Sequence, residues 1–410
     1  MMYDNKRIAV IGGGAAGMMA AGTALSYGAD VTLFEKTDRL GKKLAITGKG
    51  RCNVTNNTTV NEFLENVTKN SRFLYSALNA LTPEDTIAFF ESLGVKLKTE
   101  RGRRVFPESE KARDIVEAMK AYSCQAKIIY ESVKKIVNNS DGTFTVFSKK
   151  EYVFDSVIIA TGGKSYPLTG SDGSGYSLAM KLGHTVTELI PSLIPIESPD
   201  AICKEMQGLS LKNVSICVKD ENRKSLYTDF GEMMFTHFGV TGPMILSASA
   251  HLRNYDVSKL TLYIDLKPAL DEKELDARLL SDFQKNANKD LINSLGSLLP
   301  SKMISPFIQL CKINERIKVN SITKEQRAVM LSRLKSFPIR LSKFRPIEEA
   351  IITSGGVDTK EISPKDMQSK IISGLYFAGE IIDVDAYTGG YNLQIAFSTG
   401  YLAGKSAAEF

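Results

Sequence analysis

Three glycines near the start of the chain limit its fold more than any other feature. Gly12-x-Gly14-x-x-Gly17 lies between an apolar run at 6–11 (KRIAVI) and a small-residue helical pattern that continues to about Tyr27. A second apolar run, 29–35 (ADVTLFE), ends in Glu35. Glycine lets the backbone approach a pyrophosphate, and the unpaired N–H groups and dipole of a helix start favour its charge. An acid at the end of the second strand accepts hydrogen bonds from ribose hydroxyls and repels a 2′-phosphate. The glycine pattern alone is weak evidence. Strand, glycines, helix, strand and acid in register predict a dinucleotide-binding β-α-β unit, the alternative being a glycine-rich turn beside a surface glutamate.

The same segment has no charged residue from Ile8 to Ala29 and follows Lys6 and Arg7, a pattern also found in membrane spans and secretory leaders. Its glycines make it a poor lipid-spanning helix, so no membrane partner is expected. Cys52, Cys124, Cys203, Cys217 and Cys311 are odd in number and form no CxxC. This argues against a disulfide framework, a disulfide-exchanging flavoprotein or a zinc ribbon, and fits a cytoplasmic protein. His184, His237 and His251 have no metal-ligand spacing, so no metal is expected. At 410 residues, with 43% hydrophobic and 24% charged content, the chain is long enough for two or three globular domains.

Further along, 58–120 reads as mostly helical with a break at 101–107 (RGRRVFP). Three β runs, 127–137, 143–148 and 151–154, predict a meander, with a hairpin loop at 138–142. The uniformly apolar 156–160 (SVIIA) and 374–378 (GLYFA) suit parallel strands buried on both faces. Pro191, Pro195 and Pro199 punctuate a change of texture. The expected architecture is α/β: a Rossmann-like domain with a β-meander, 1–191 and 346–410, interrupted by an inserted domain, 192–345. The insert is expected to be β-barrel-like over about 192–268 and helical over about 269–345.

Several longer motifs add to this: GKKLAITGKGRCNVTN at 41–56, FTHFGVTGP at 235–243, TSGGV at 353–357 and AGEIIDVDAYTGGYNLQIAFSTG at 378–400. In these the chain resembles the BaiN-like family, also called aminoacetone-oxidase-like FAD-binding enzymes, within the two-dinucleotide-binding-domain flavoproteins. The resemblance covers nearly the whole chain. It implies FAD held by a split domain, with Gly12, Gly14, Ala15, Ala16 and Glu35 at the AMP half and pyrophosphate. Lys36, Lys43, Thr47, Gly48 and Asn53 lie where the family's loop passes the cofactor. Val133 would sit on a meander strand beside the adenine, and Ala160, Thr161 and Gly162 on the adenosine side. Gly379, Glu380 and Asp383 would approach the ribityl-phosphate part, and Gly390, Tyr391, Asn392 and Leu393 the flavin pyrimidine ring. The residues agree on the last point, because a helix start behind Gly389-Gly390 would stabilise negative charge on a reduced flavin.

These readings predict an FAD-dependent oxidoreductase that moves hydride to or from a small organic substrate. Only one dinucleotide fingerprint is complete, so any NAD(P)H would be a diffusible electron donor, and oxygen remains open as an acceptor. His237, in a turn-rich loop, is the candidate proton donor, against a structural role. Cys52 reads as packed and inert rather than a near-flavin thiol. Arg103 and Arg104 read as solvent-facing rather than substrate-holding, and Asp383 with Asp385 as strand-end contacts rather than an acid/base pair. Residues 312–345 hold ten basic and two acidic side chains. They read as a solvated helical face, so a nucleic-acid partner is not expected; a flavin-dependent RNA-modifying or RNA-binding protein is the alternative. A non-catalytic flavin-binding protein and a plain NAD dehydrogenase are the remaining rivals. Substrate identity and oligomeric state are not encoded in these motifs.

Overall fold

The structure, a computed structural model, describes residues 5–410. The chain forms two compact units, one running up to Ser192 and resuming at Ile347–Phe410, the other spanning Leu193–Pro346.

The first unit is built on a five-stranded parallel sheet in the order Leu375–Phe377, Ser156–Ile159, Arg7–Ile11, Asp30–Phe34, Lys127–Ile129. Its central strands are apolar on both faces because both faces are covered; Ile8, Ala9, Val10, Val157, Ile158 and Ile159 have no exposed surface. One covering layer pairs the helix Ala15–Ser26 with the last helix, Tyr391–Glu409. Their small residues allow near contact: a Cβ on Gly400 would lie 2.5 Å from the Ala16 carbonyl oxygen, and one on Gly404 2.3 Å from that of Ala20. Phe63, Phe90, Phe144 and Phe397 complete the buried core.

Three local readings are corrected. The meander consists of Lys135–Asn138, Phe144–Phe147 and Glu151–Phe154. The earlier part of the expected first run, Lys127–Ile129, instead pairs with Thr32, Leu33 and Phe34 as the edge of the parallel sheet. Val133 is therefore on no strand; it is buried in the connection between the two sheets. The 58–120 region does carry helices at Val60–Glu65, Tyr75–Ala80, Pro83–Ser92 and Ala112–Tyr122, but the break within it is a hairpin. Leu97–Glu100 and Arg104–Pro107 pair there, and Thr55–Asn56 joins them.

The second unit carries a six-stranded antiparallel sheet in the order Ile196–Glu197, Gly239–Thr241, Ser225–Thr236, Ser210–Lys219, Thr261–Asp265, Phe337–Arg340. The sheet curls until Ile196 bridges Phe344, with Glu197 N donating to the Lys343 carbonyl at 2.8 Å. Alternate residues point inward: Val214, Ile216, Val218, Leu262 and Ile264 pack with Met244, Ile245 and Leu252 of the helix Pro243–Leu252. The helices Glu272–Lys285 and Lys324–Lys335 begin at capping boxes, Asp271 with Glu274 and Thr323 with Gln326. The helical stretch ends at Lys335, and Phe337–Arg340 returns to the sheet against Thr261–Ile264. Period-2 alternation over four residues containing a proline is too short a signal to reveal that return.

Among the described residues no helix is long and apolar enough to cross a membrane. The 8–29 segment is instead a sheet strand, a turn and a buried helix.

Candidate active site

The carboxyl ends of the parallel strands carry the turns that the motifs singled out, the place where ligands bind in open α/β sheets. At the end of the first strand, Gly12 has φ +109°, and a Cβ there would meet the Ala160 carbonyl oxygen at 2.5 Å. A Cβ on Gly17 would lie 1.8 Å from the Gly12 carbonyl oxygen. These two glycines are required by the turn itself. Gly14 differs: its φ is −84° and a Cβ would meet nothing within 4 Å. It is the N-cap of the Ala15–Ser26 helix, with no side-chain cap and no acid in the first turn. The N–H groups of that helix start thus have no side-chain cap, beside a turn of minimal bulk. Ala15 is half-buried and Ala16 buried against the last helix.

Glu35 is 8% exposed at the end of the second strand. Its Oε2 accepts from Gly13 N at 2.9 Å and its Oε1 from Thr37 N at 2.7 Å. The acid thus braces the glycine turn and holds its carboxylate beside it. Lys36 Nζ is bound by Asp172 and by Ser174 Oγ, so a helix start at Ser174–Lys181, which the local sequence did not signal, joins the site. Ala160 is buried, Thr161 is half-buried and Gly162 has φ +74°. Among the described residues, Thr161 Oγ1 and Ser171 Oγ are buried with no hydrogen-bond partner.

The glycine-rich loop lies in the same unit. Lys43 Nζ contacts Glu380 Oε2 and Ser165 Oγ, each at 2.7 Å. Glu380 Oε1 accepts from Thr353 N at 2.9 Å. A residue near the start of the chain is thereby tied to one near the end. Thr47 donates to the Leu44 carbonyl at 2.7 Å. Gly48, Lys49, Gly50 and Cys52 all have left-handed backbone conformations. Two of these are not glycine, an unfavourable arrangement that persists where a loop's shape is otherwise determined. Asn53 Oδ1 is buried without a partner among the described residues. Cys52 has no exposed surface, and burial pushes its thiol up to about 12, outweighing the Thr47 hydroxyl that favours the thiolate. It is a packed cysteine, not a nucleophile.

Gly379 has φ +77°, and a Cβ there would lie 2.7 Å from that of Ala16. Asp383 is buried, with Lys69 Nζ 2.7 Å from its Oδ1. Asp385 accepts from Thr68 Oγ1 at 2.8 Å and from Ser192 Oγ and Ser354 Oγ at 2.9 Å, so it serves the framework. Gly390, φ +99°, is the N-cap of the last helix and lies so close to Thr55 that a Cβ would be 2.3 Å from its carbonyl. That helix start also has no side-chain cap and no acid in its first turn. The side chains of the next two residues are engaged elsewhere. The Tyr391 ring packs edge-on against Phe63 at 5.0 Å, and the Asn392 amide bridges Ala386 N and O at 2.9 and 2.7 Å. Leu393 packs partly buried against the core. What this turn presents to a ligand is backbone.

The remaining candidates lie apart from this cluster in sequence or in role. His237 is exposed in the turn between Ser225–Thr236 and Gly239–Thr241 of the second unit, edge-on to Phe238 at 5.0 Å. Arg103 is exposed and paired with Glu62 at 2.8 Å, and Arg104 donates to the Arg101 carbonyl. Much of the basic stretch at 312–345 is neutralised: Lys318 pairs with Asp290, Arg327 with Asp276, Lys335 with Asp265, Arg340 with Asp200, and Lys343 and Arg345 with Glu197.

A parallel sheet, a glycine turn braced by Glu35 and a helix from the far end of the chain docked on the first helix make a recognisable constellation. The profile of the HI0933-like protein Rossmann domain matches residues 6–406. The chain belongs to that family. The BaiN-like resemblance drawn from the motifs is borne out at this level. The chain is 30% identical to the 3-dehydro-bile acid delta(4,6)-reductase of Clostridium scindens over 98% of this chain and 99% of that one. It is 31% identical to the ribosomal RNA dihydrouridine synthase of Haemophilus influenzae over 98% of both. Among solved structures, the 3-ketosteroid delta1-dehydrogenase of Sterolibacterium denitrificans shares the fold, at a TM-score of 0.54 and 12% identity over 99% of this chain and 100% of that one.

Proposed function

We propose that this member of the HI0933-like family is an FAD-dependent reductase of carbon–carbon double bonds conjugated with a carbonyl. The observation that carries the FAD assignment is the set of unused groups around one cradle. Gly14 opens an uncapped helix start, Gly389-Gly390 open a second, and the Asn53, Thr161 and Ser171 side chains hold buried polar atoms without partners. Buried polar atoms left unpaired are costly, and a dinucleotide rich in donors and acceptors fits them.

In this reading Glu35 holds the ribose, and the Gly12–Gly17 turn with the first helix start holds the pyrophosphate. Thr161 and Gly162 line the adenosine side, and the Lys43–Glu380 pair fixes the ribityl-phosphate region. The start of Tyr391–Glu409 directs backbone N–H groups at the pyrimidine end, favouring negative charge there. FAD supplies hydride chemistry when bound. His237 is assigned as proton donor to the substrate carbon that does not receive hydride. NADH or NADPH is assigned as the diffusible electron donor.

The substrate class follows from the relatives. The delta-4 bond beside a 3-oxo group and the 5,6 bond of a uracil ring are both alkenes conjugated with a carbonyl. A second reading, reduction of uracil rings within RNA, is favoured by charge: Leu193–Pro346 holds 23 basic and 17 acidic side chains, the whole of the net +6.

The test begins with the visible spectrum of the purified protein. Anaerobic mixing with NADH or NADPH should bleach a yellow flavin band, and reoxidation is then followed with a conjugated 3-oxo steroid and with uridine-containing ribosomal RNA. A colourless preparation with no affinity for added FAD removes the proposal. His237→Gln should lower turnover about 10²-fold or more at unchanged flavin content; unchanged turnover removes that assignment.

A further inference from the structure

The hairpin of Leu97–Glu100 and Arg104–Pro107 carries a basic tip, Arg101-Gly102-Arg103, in which Gly102 has φ +75° and Arg103 φ +59°. This tip lies against the turn that opens the last helix. The buried Asn56 amide spans the two, donating to the Gly102 carbonyl at 3.0 Å and to the Gly389 carbonyl at 3.1 Å. Asn57 N donates to the Arg103 carbonyl at 2.7 Å. The charges at the tip are unequally matched. Arg103 pairs with Glu62 at 2.8 Å. Arg51 takes Glu100 at 2.6 Å and also Glu110, which Lys98 shares. Glu100, opposite Arg104 across the hairpin, is thus already engaged. Arg101 and Arg104 are exposed and make no ion pair among the described residues; Arg104 Nε is braced on the Arg101 carbonyl at 3.0 Å. Exposed Lys49 is likewise without an ion pair among them, on the loop whose Gly48 approaches the Phe106 ring; that ring also lies 5.9 Å from the Arg104 guanidinium. The uncompensated positive charge is therefore at the tip itself.

Building on the FAD-reductase reading, we infer that Arg101 and Arg104 hold the 2′-phosphate of the electron donor, so that the donor is NADPH rather than NADH. The phosphates of FAD do not call on these arginines, because the Gly12–Gly17 turn and the first helix start are assigned to them. A phosphomonoester carries a charge of about −1.5 to −2 at neutral pH, and guanidinium forks match its oxygens bidentately. Two unpaired guanidiniums on one turn fit that double charge. A carboxylate on the substrate would satisfy one and leave the other, a neutral conjugated ketone would satisfy neither, and NADH would offer only a ribose hydroxyl. Asn56 fixes the backbone from which both side chains start, which lowers the ordering cost of binding.

The experiment measures calorimetric binding of adenosine 2′,5′-bisphosphate and of adenosine 5′-monophosphate to the flavin-loaded full chain at low salt. Anaerobic bleaching of the flavin by NADPH and by NADH gives Kd for each donor. The wild type should prefer the bisphosphate, and NADPH, by about tenfold or more. The double variant R101Q/R104Q should lose both preferences by weakening the 2′-phosphorylated ligands alone, at unchanged Kd for NADH, flavin content and circular dichroism, since both side chains are exposed. R103Q should keep the preference, because Glu62 holds that guanidinium. Four results overturn the inference: equal wild-type affinity for the two donors, an unchanged preference in R101Q/R104Q, an equal loss in R103Q, or displacement of the bisphosphate by an equal concentration of inorganic phosphate. A colourless protein that binds the bisphosphate through Arg101 and Arg104 removes the FAD reading and leaves the phosphate site standing; a yellow protein bleached equally by both donors does the reverse.

Discussion

Replacing Gly14 with serine should make the protein more stable and poorer in flavin at the same time. The backbone there is extended, φ −84° and ψ −166°, and a Cβ meets nothing within 4 Å. Serine therefore fits without strain. It caps the Ala15–Ser26 helix better than glycine by a few tenths of a kcal/mol, since its hydroxyl accepts from the second or third N–H of the helix. Removing a glycine also restricts the unfolded chain, contributing about 0.4–1 kcal/mol. Together these give about 1 kcal/mol, or about 2–4 °C in Tm for a unit of this size. The same hydroxyl occupies the N–H groups assigned to the pyrophosphate, so FAD affinity should fall at least about tenfold, equivalent to about 1.4 kcal/mol. Stability must be compared on flavin-stripped protein, because a bound ligand stabilises by mass action. Urea denaturation of the two apo proteins and flavin titration by fluorescence quenching suffice. Wild-type FAD affinity in a stabilised G14S protein would show that the pyrophosphate does not lie over this turn. A destabilised apo protein would contradict the open space. The neighbouring Gly17 cannot serve, because a Cβ 1.8 Å from the Gly12 carbonyl disrupts the turn whatever binds there.

Gly390→Ala forces a side chain into the Thr55 carbonyl at φ +99° and should cost at least about 2 kcal/mol in urea unfolding; an unchanged midpoint refutes the close approach. Iodoacetamide at mildly alkaline pH should label exposed Cys124 and spare Cys52 in the native protein, with peptide mass mapping as readout; equal labelling of both contradicts the packed environment. Burial holds the His184 imidazole below its ordinary 6.5 although Glu361 Oε2 lies 3.1 Å away. Below that pH the unfolded chain takes up a proton that the folded one refuses, so stability present above 6.5 is lost as pH falls. His184→Gln should flatten the fall in urea midpoint that sets in as pH drops below 6.5; an identical slope assigns the loss to other groups.

The parts legible in the sequence are those whose signal is local. The Gly12–Gly17 turn, the Glu35 strand end and the two apolar strands at 156–159 and 375–377 each carry their reason within a few residues. The misread parts depend on partners far away in the chain. Lys127–Ile129 looks like any short β run, and only Thr32, Leu33 and Phe34 decide that it extends the parallel sheet rather than the meander. Phe337–Arg340 is a strand because Thr261–Ile264 lies beside it. The side chains of Tyr391 and Asn392 sit within a motif yet serve Phe63 and Ala386, a division between side chain and backbone that no spacing encodes. Lys69, Ser165, Asp172 and Ser174 complete the site only through contacts with Asp383, Lys43 and Lys36.

The docking of the last helix on the first also dictates an order of events during synthesis. The nucleotide turn leaves the ribosome long before the strand Leu375–Phe377 and the helix that close its sheet. At about 5–20 residues per second, the early strands wait many seconds with one flank of the sheet unpaired while Leu193–Pro346, contiguous in sequence, can already fold. A nascent chain of this design is thus exposed to edge-to-edge aggregation until the helix Tyr391–Glu409 arrives, and loss of that helix's last two turns would take Gly404 away from Ala20 while Gly400 still covers Ala16.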